Sequence, residues 1–252
     1  MGGSYVNLYA FCSSVTHAPG GSTFAIAQGV NPDIDSGVFE TVWVEGGTYV
    51  APSEAQMLNV TSTSAEDAPG NTGLHSVLII GVAENFAAIQ EVVVLEGTTP
   101  VITSTAFRAV NNMIGIGSGS VHRNVGSISC AQVTSTLVVA CMAPLTSLLS
   151  QAIFTVPKTK EGRVMQFTVR ANRAQGQEPL IEFRAIAQDP VTLTQLVPVS
   201  IILDTSKQTT LDFPIPFVDA VPENTIITME AMSDQDNTRV FADMYFTLEP
   251  NF

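Results

Sequence analysis

Apolar and polar residues alternate with a period of two over many short stretches, and that period predicts strands rather than helices. The first clear stretch is Phe39-Glu40-Thr41-Val42-Trp43-Val44, where Phe39, Thr41 and Trp43 share one face, and Gly46-Gly47 then turns the chain. Further strands are predicted at Met57–Ser62, Ser76–Val82, Glu91–Leu95, Val101–Phe107, Ser127–Val133, Leu137–Met142 and Ala152–Val156. Turn residues separate them: Pro69-Gly70-Asn71, Glu96-Gly97-Thr98 and the run Gly115-Ile116-Gly117-Ser118-Gly119, read as a mobile loop. Beyond it, Leu145 to Ala152 reads as a short helical turn.

The second half alternates more regularly. Met165, Phe167 and Val169 share a face, as do Ile181, Phe183 and Ala185, then Val197, Val199, Ile201 and Leu203, then Leu211, Phe213 and Ile215. The apolar runs Ile226–Met232 and Val240–Leu248 follow. Pro157 cannot donate to a central ladder, and the polar run after it closes at Gly162, so a division between two units is expected there. The predicted fold is all-β: two antiparallel β-sandwich domains, immunoglobulin-like or jelly-roll-like, over residues 38–157 and 158–252. An extended N-terminal arm over residues 1–37 precedes them, because Tyr5, Leu8, Tyr9, Phe11, Phe24 and Ile26 show no period that would bury them in their own domain. Together with Trp43, these six are the candidate interface residues.

Composition narrows the chemistry. Only 13% of the 252 residues are charged and the net charge is −13. Arg108 and Arg123 are the only basic residues before position 150, against ten acidic ones. Neutralising phosphates takes a Lys/Arg patch, so a nucleic-acid partner is not expected. Leu137 to Ile153 is the most apolar segment, but Pro144 and several Ser, Thr and Gln residues interrupt it, so no membrane span and no membrane partner are expected. Cys12, Cys130 and Cys141 lack the spacing of a zinc site or disulfide framework. With no secretory signal, the chain is expected to be made, soluble, in a reducing cytoplasm.

No constellation suggests catalysis. Ser118, Ser120 and His122 lie close in sequence, but the Gly-x-Ser-x-Gly nucleophile elbow is absent. His17, His75 and His122 sit in unrelated contexts. Asp33-Ile34-Asp35-Ser36-Gly37 resembles the start of a calcium loop, yet no bidentate Glu follows at the required spacing. No enzyme activity, cofactor or metal is expected.

Several tracts in fixed order do resemble a known group. They are Asn31-Pro32-Asp33-Ile34-Asp35, Phe39-Glu40-Thr41-Val42-Trp43, Gly46-Gly47-Thr48-Tyr49, Leu58–Asp67, Val77–Gly81, Glu91–Val101, Phe107–Asn111 and Ile153–Pro157. Together they resemble virion structural proteins of tailed, often marine, bacteriophages, over roughly residues 31–160 and more loosely beyond. The resemblance implies a non-enzymatic particle component of two β-domains. The expectation adopted is a capsid decoration or cement protein on the outer head surface, forming a homotrimer that bridges capsomers of the major capsid protein or contacts other virion proteins. A tail or fibre component is the alternative, and a carbohydrate-binding module is a third reading, because jelly-roll sandwiches often carry lectin sites. The acidity fits an outer position, since packaged DNA would repel it.

Thermal unfolding is therefore expected to be indifferent to chelator. A melting temperature that falls by many degrees in EDTA would restore the cation reading of Asp33 and Asp35.

Overall fold

The computed structural model describes residues 22–172, 178–190, 192, 194–214 and 220–251. Among the described residues the chain is all-β, without helix, and every strand pair is antiparallel. In chain order the strands are β1 (Thr23–Ile34), β2 (Glu40–Thr41), β3 (Leu58–Ser62), β4 (Leu74–Val82), β5 (Ala88–Val94), β6 (Val101–Ile102), β7 (Ala109–Ser118) and β8 (Ile128–Gln132). There follow β9 (Val138–Met142), β10 (Ile153–Thr155), β11 (Lys160–Asn172), β12 (Leu180–Gln188), β13 (Gln195–Asp204), β14 (Thr210–Pro214), β15 (Ile226–Ser233) and β16 (Thr238–Pro250).

Four sheets result, and they pool their inward residues into two hydrophobic clusters. The order β1-β16-β11-β14 and the order β10-β15-β12-β13, with β2 added on β15, share the first cluster. Phe167, Val169, Val240, Ala242, Met244 and Phe246 come from one sheet, and Phe154, Ile181, Phe183, Leu203 and Met229 from the other. Phe154 stacks on Phe246 at 4.9 Å between ring centroids. The orders β6-β3-β8-β9 and β5-β4-β7 share the second cluster, which holds Leu58, Val60, Val77, Ile79, Phe107, Met113, Ile128 and Met142.

The chain enters and leaves the second cluster at a single crossing. Ala152 N–H donates to the Val42 carbonyl at 2.9 Å, Val42 N–H to Met229 at 2.8 Å, and Met229 N–H to Ala152 at 2.9 Å. Gly29 packs into the same point: a Cβ on it would lie 2.0 Å from the Val42 oxygen and 2.4 Å from the Ala152 nitrogen. Next to the crossing, the Asn111 carboxamide acts like a strand backbone. Its Nδ2 donates to the Thr155 carbonyl at 2.7 Å, and its Oδ1 accepts from Thr155 N–H at 2.8 Å. With Gln151 Nε2 donating to the Val110 carbonyl, these bonds fasten β7 to the first cluster.

Several expectations are corrected. From Thr23 onward the segment expected as an arm is a strand, paired with β16 from Thr23↔Leu248 to Ile34↔Thr238, while residues 1–21 lie outside the described residues. The division expected at Pro157–Gly162 falls inside the first cluster, since Val156 and Val164 are both buried there. That stretch is a tight turn, with Lys160 N–H bonded to the Pro157 carbonyl and Thr159 at φ 66°. Leu145 and Ser147 have φ of 64° and 59°, so no helical turn forms; the segment winds around Asn124, whose Oδ1 accepts from Thr146 and Ser147 N–H. The glycine run expected as a loop extends β7 to Ser118, where Leu74 occupies the space a Cβ on Gly115 would need. Met165 leaves the face of Phe167 and Val169 because a bulge lies between Val164 and Gln166. The strand at Phe39 is only two residues long, and Val101–Phe107 is broken: Val101–Ile102 form β6, Thr103 Oγ1 turns the chain by donating to the Thr105 carbonyl, and Phe107 bridges separately to Gln56.

Replacing Gly29 with Ala is expected to cost on the order of 3 kcal/mol, because the added methyl meets backbone rather than a movable side chain. Gly47→Ala, at φ 63° with nothing within 4 Å, should cost only about 1 kcal/mol. Equal losses in chemical denaturation would contradict the crossing as a close-packed point.

Candidate functional site

Strand β4 reads Leu-His-Ser-Val-Leu-Ile-Ile-Gly-Val, a nearly continuous apolar run rather than an alternation. Val77 and Ile79 enter the second cluster. Leu78 and Ile80 point the other way, into a face that nothing in the described chain covers completely. The register builds that face row by row. Leu78 stands between Val92 of β5 and Ile114 of β7, Ile80 between Gln90 and Asn112, and Ser76 between Val94 and Gly117. Val92 and Val94 are each 54% exposed and Ile116 50%. Ile114 alone is buried, because residues 147–149 run along the outer edge of β7: Leu149 N–H bonds to the Met113 carbonyl and Gly115 N–H to that of Ser147.

Physical chemistry makes this face unusual for a solvated sheet. Antiparallel sheets with one wet face alternate apolar and polar residues, whereas strands covered on both sides read as continuous aliphatic runs. Burying a Val, Leu or Ile side chain is worth roughly 1.5–3 kcal/mol, and monomer surfaces normally scatter such residues singly. Among the described residues β5 pairs only with β4, so its outer backbone edge is open beside Val92 and Val94. The arrangement suits association, by side-chain burial on the face and by strand pairing at the edge.

The one charge on β5 is turned away. Glu91 sits opposite Ile79 on the inner side, accepting from Ser104 N–H at 2.8 Å, Ser104 Oγ at 3.0 Å and Thr105 N–H at 2.8 Å. Partial burial raises its pKa, and the hydrogen bonds from Ser104 and Thr105 together outweigh that, holding the carboxyl below the ordinary range.

Of the candidate interface residues from the sequence, only Phe24, Ile26 and Trp43 fall among the described residues. Tyr5, Leu8, Tyr9 and Phe11 lie outside the described residues. Phe24 is 59% exposed at the start of β1, while Ile26 is half-buried beside a small cleft of about 10 Å³, room for about one water, that Gln28, Asn112, Leu148 and Gln151 also line. Trp43 is buried in its own chain: its Nε1 donates to the Gly46 carbonyl at 2.7 Å and its ring meets Tyr49 edge-on at 5.3 Å. These contacts fix the Gly46-Gly47 turn. Leu78, Ile80, Val92, Val94 and Ile116 were missed, and the available signal was the lack of alternation in Val77–Ile80 and Val92–Val94.

The polar clusters are structural in their bonding. Among the described residues no three His, Cys, Asp or Glu side chains gather to hold a metal. Around Asp33 and Asp35 the backbone is organised instead, with Asp33 N–H bonded to Asn31 Oδ1, Asp35 N–H to Glu40 Oε1 and Ser36 N–H to Asp236. The buried Asp67 carboxylate accepts from Ser62 Oγ and from the N–H groups of Leu74, Val125 and Gly126, joining three connections of the second cluster. Ser118 ends β7 and His122 occupies a turn at φ 59°. Burial pushes the Cys130 thiol up to about 12.

Glu91→Gln is expected to lower thermal stability at pH 7 by loosening β5 from residues 104–105. A depressed folded pKa contributes stability above the unfolded value and loses it as pH falls, so the deficit should narrow below about pH 4. A deficit that is constant from pH 7 to pH 3 would contradict the charged hydrogen-bond role.

No protein-family model, no curated protein and no solved structure matches this chain.

Proposed function

We propose that the protein is a non-enzymatic structural component of a tailed-bacteriophage virion, placed on the outer head surface as a decoration or cement protein that assembles with itself and with other shell proteins. On this reading its four sheets work as two β-sandwich units, one formed by residues 23–43 and 150–250 and the other inserted between them. The observation that carries the proposal is the uncovered aliphatic face of β4, β5 and β7 next to an open strand edge. Burying such a face across neighbouring shell subunits adds binding free energy that the undecorated shell lacks, stabilising the assembled state as any ligand of that state does. The net charge of −13 supports an outer position, away from packaged DNA. The ordered tracts from Asn31 to Pro157 that resemble phage virion proteins point the same way.

Antibody raised against the recombinant chain tests this on particles banded from the source culture. The chain is expected in the band of intact, DNA-filled particles, accessible to antibody without disruption and present in hundreds of copies. About a dozen copies would move the assignment to the tail or a fibre. A chain found only in the soluble fraction would refute a virion role.

A further inference from the structure

We infer that the small cleft between β1 and β7 is a binding site for one ordered water, which donates a hydrogen bond to Gln151 Oε1 and ties the two hydrophobic clusters together beside the crossing. Nothing in this site depends on the virion reading.

A buried acceptor marks the site. Gln151 is 1% exposed and precedes Ala152, whose backbone forms the crossing. The orientation of its carboxamide follows from its neighbour: Nε2 donates to the Val110 carbonyl at 3.1 Å, and the reversed amide would set two oxygens against each other with no hydrogen between them. The other end of the group is therefore Oε1. Among the described residues no donor reaches it. Leaving a buried acceptor unsatisfied is costly, and groups that the protein does not satisfy are ordinarily met by ordered water.

Size and chemistry select the ligand. The cleft that Gln151 lines measures about 10 Å³, which suits one water and is too small for an organic molecule. A metal ion is a poor occupant, because no carboxylate is among the lining residues. A water so placed needs about two to four polar partners, and the walls supply them beyond Gln151. Gln28 of β1 bridges to Gln151 and lines the cleft; it gives one amide hydrogen to Asp243 and keeps the other, with its oxygen. Asn112 of β7 lines it as well, whereas Asn111 has both ends of its carboxamide on Thr155. A water held by Gln151 and by Gln28 or Asn112 thus joins a strand of the first cluster to one of the second.

Crystal structures of the full chain in two crystal forms, at a resolution that shows ordered solvent, read the site directly. Both are expected to place a solvent oxygen within hydrogen-bond reach of Gln151 Oε1 and of the Gln28 or Asn112 amide. In Gln151→Met, which keeps the length of the side chain and removes the amide, that oxygen should be lost while far-UV circular dichroism stays unchanged. Should the variant fail to fold, the two wild-type crystal forms decide alone. An Oε1 without a solvent oxygen in either form, or one met by a protein donor instead, overturns the inference. So does a water that persists in folded Gln151→Met, since Gln151 is then not what holds it.

Discussion

The crossing of Gly29, Val42 and Ala152 is the constraint on which the rest of the structure depends. Val42, Ala152 and Met229 join there by backbone hydrogen bonds, and Gly29 packs against them where no Cβ fits. Because Val42 and Ala152 are bonded to each other, the chain between them begins and ends at one place. The second cluster is tied to the first at this point, and Lys158 N–H adds a further backbone link by donating to the Phe86 carbonyl. Asn111 and Gln151 add side-chain bonds to backbone carbonyls next to that point, which fixes how β7 leaves it. The two faces of the β5-β4-β7 sheet are set in turn: one closes the second cluster and the other is left uncovered.

Burial and polarity are traded differently on the two sides of that sheet. Inside, charge is admitted only where donors meet it, as Asp67 and Glu91 do with backbone N–H groups. Outside, the row Val92–Leu78–Ile114 is aliphatic throughout, with Gln90, Asn112 and Ser76 only in the rows beside it. Such a surface lowers the free energy of any state in which it is covered. It also makes the open β5 edge an aggregation hazard for a free chain, a cost tolerated where assembly is the working state.

Much of the strand pattern was legible because it is local. Ile181, Phe183 and Ala185, or Val240 through Leu248, alternate in sequence and bury as that alternation implies. What was not legible depends on distant partners. In β1 the inward positions are Ala25, Ala27 and Gly29, while the larger Phe24, Ile26 and Val30 face outward. The usual amphipathic signal is inverted there, because the bulky side chains of β16 already fill the space beneath. Pro157 looked like a boundary for a related reason: a turn between two strands of one cluster and a link between clusters have the same residues. Trp43 carried the right chemistry for an anchor, and only its bond to Gly46 shows that it serves its own turn. The aliphatic face was visible as two runs without alternation, but which side lay open required the register.

The central claim is that the outer face of β4, β5 and β7 is covered in the assembled state. Amide hydrogen exchange, compared between the dispersed chain and the chain on its particle or in its oligomer, tests it most directly. The account predicts slowed exchange across residues 88–94 on assembly, with little change in β11 and β16 within the first cluster. Unchanged exchange over 88–94, with new protection confined to other surfaces, would contradict it.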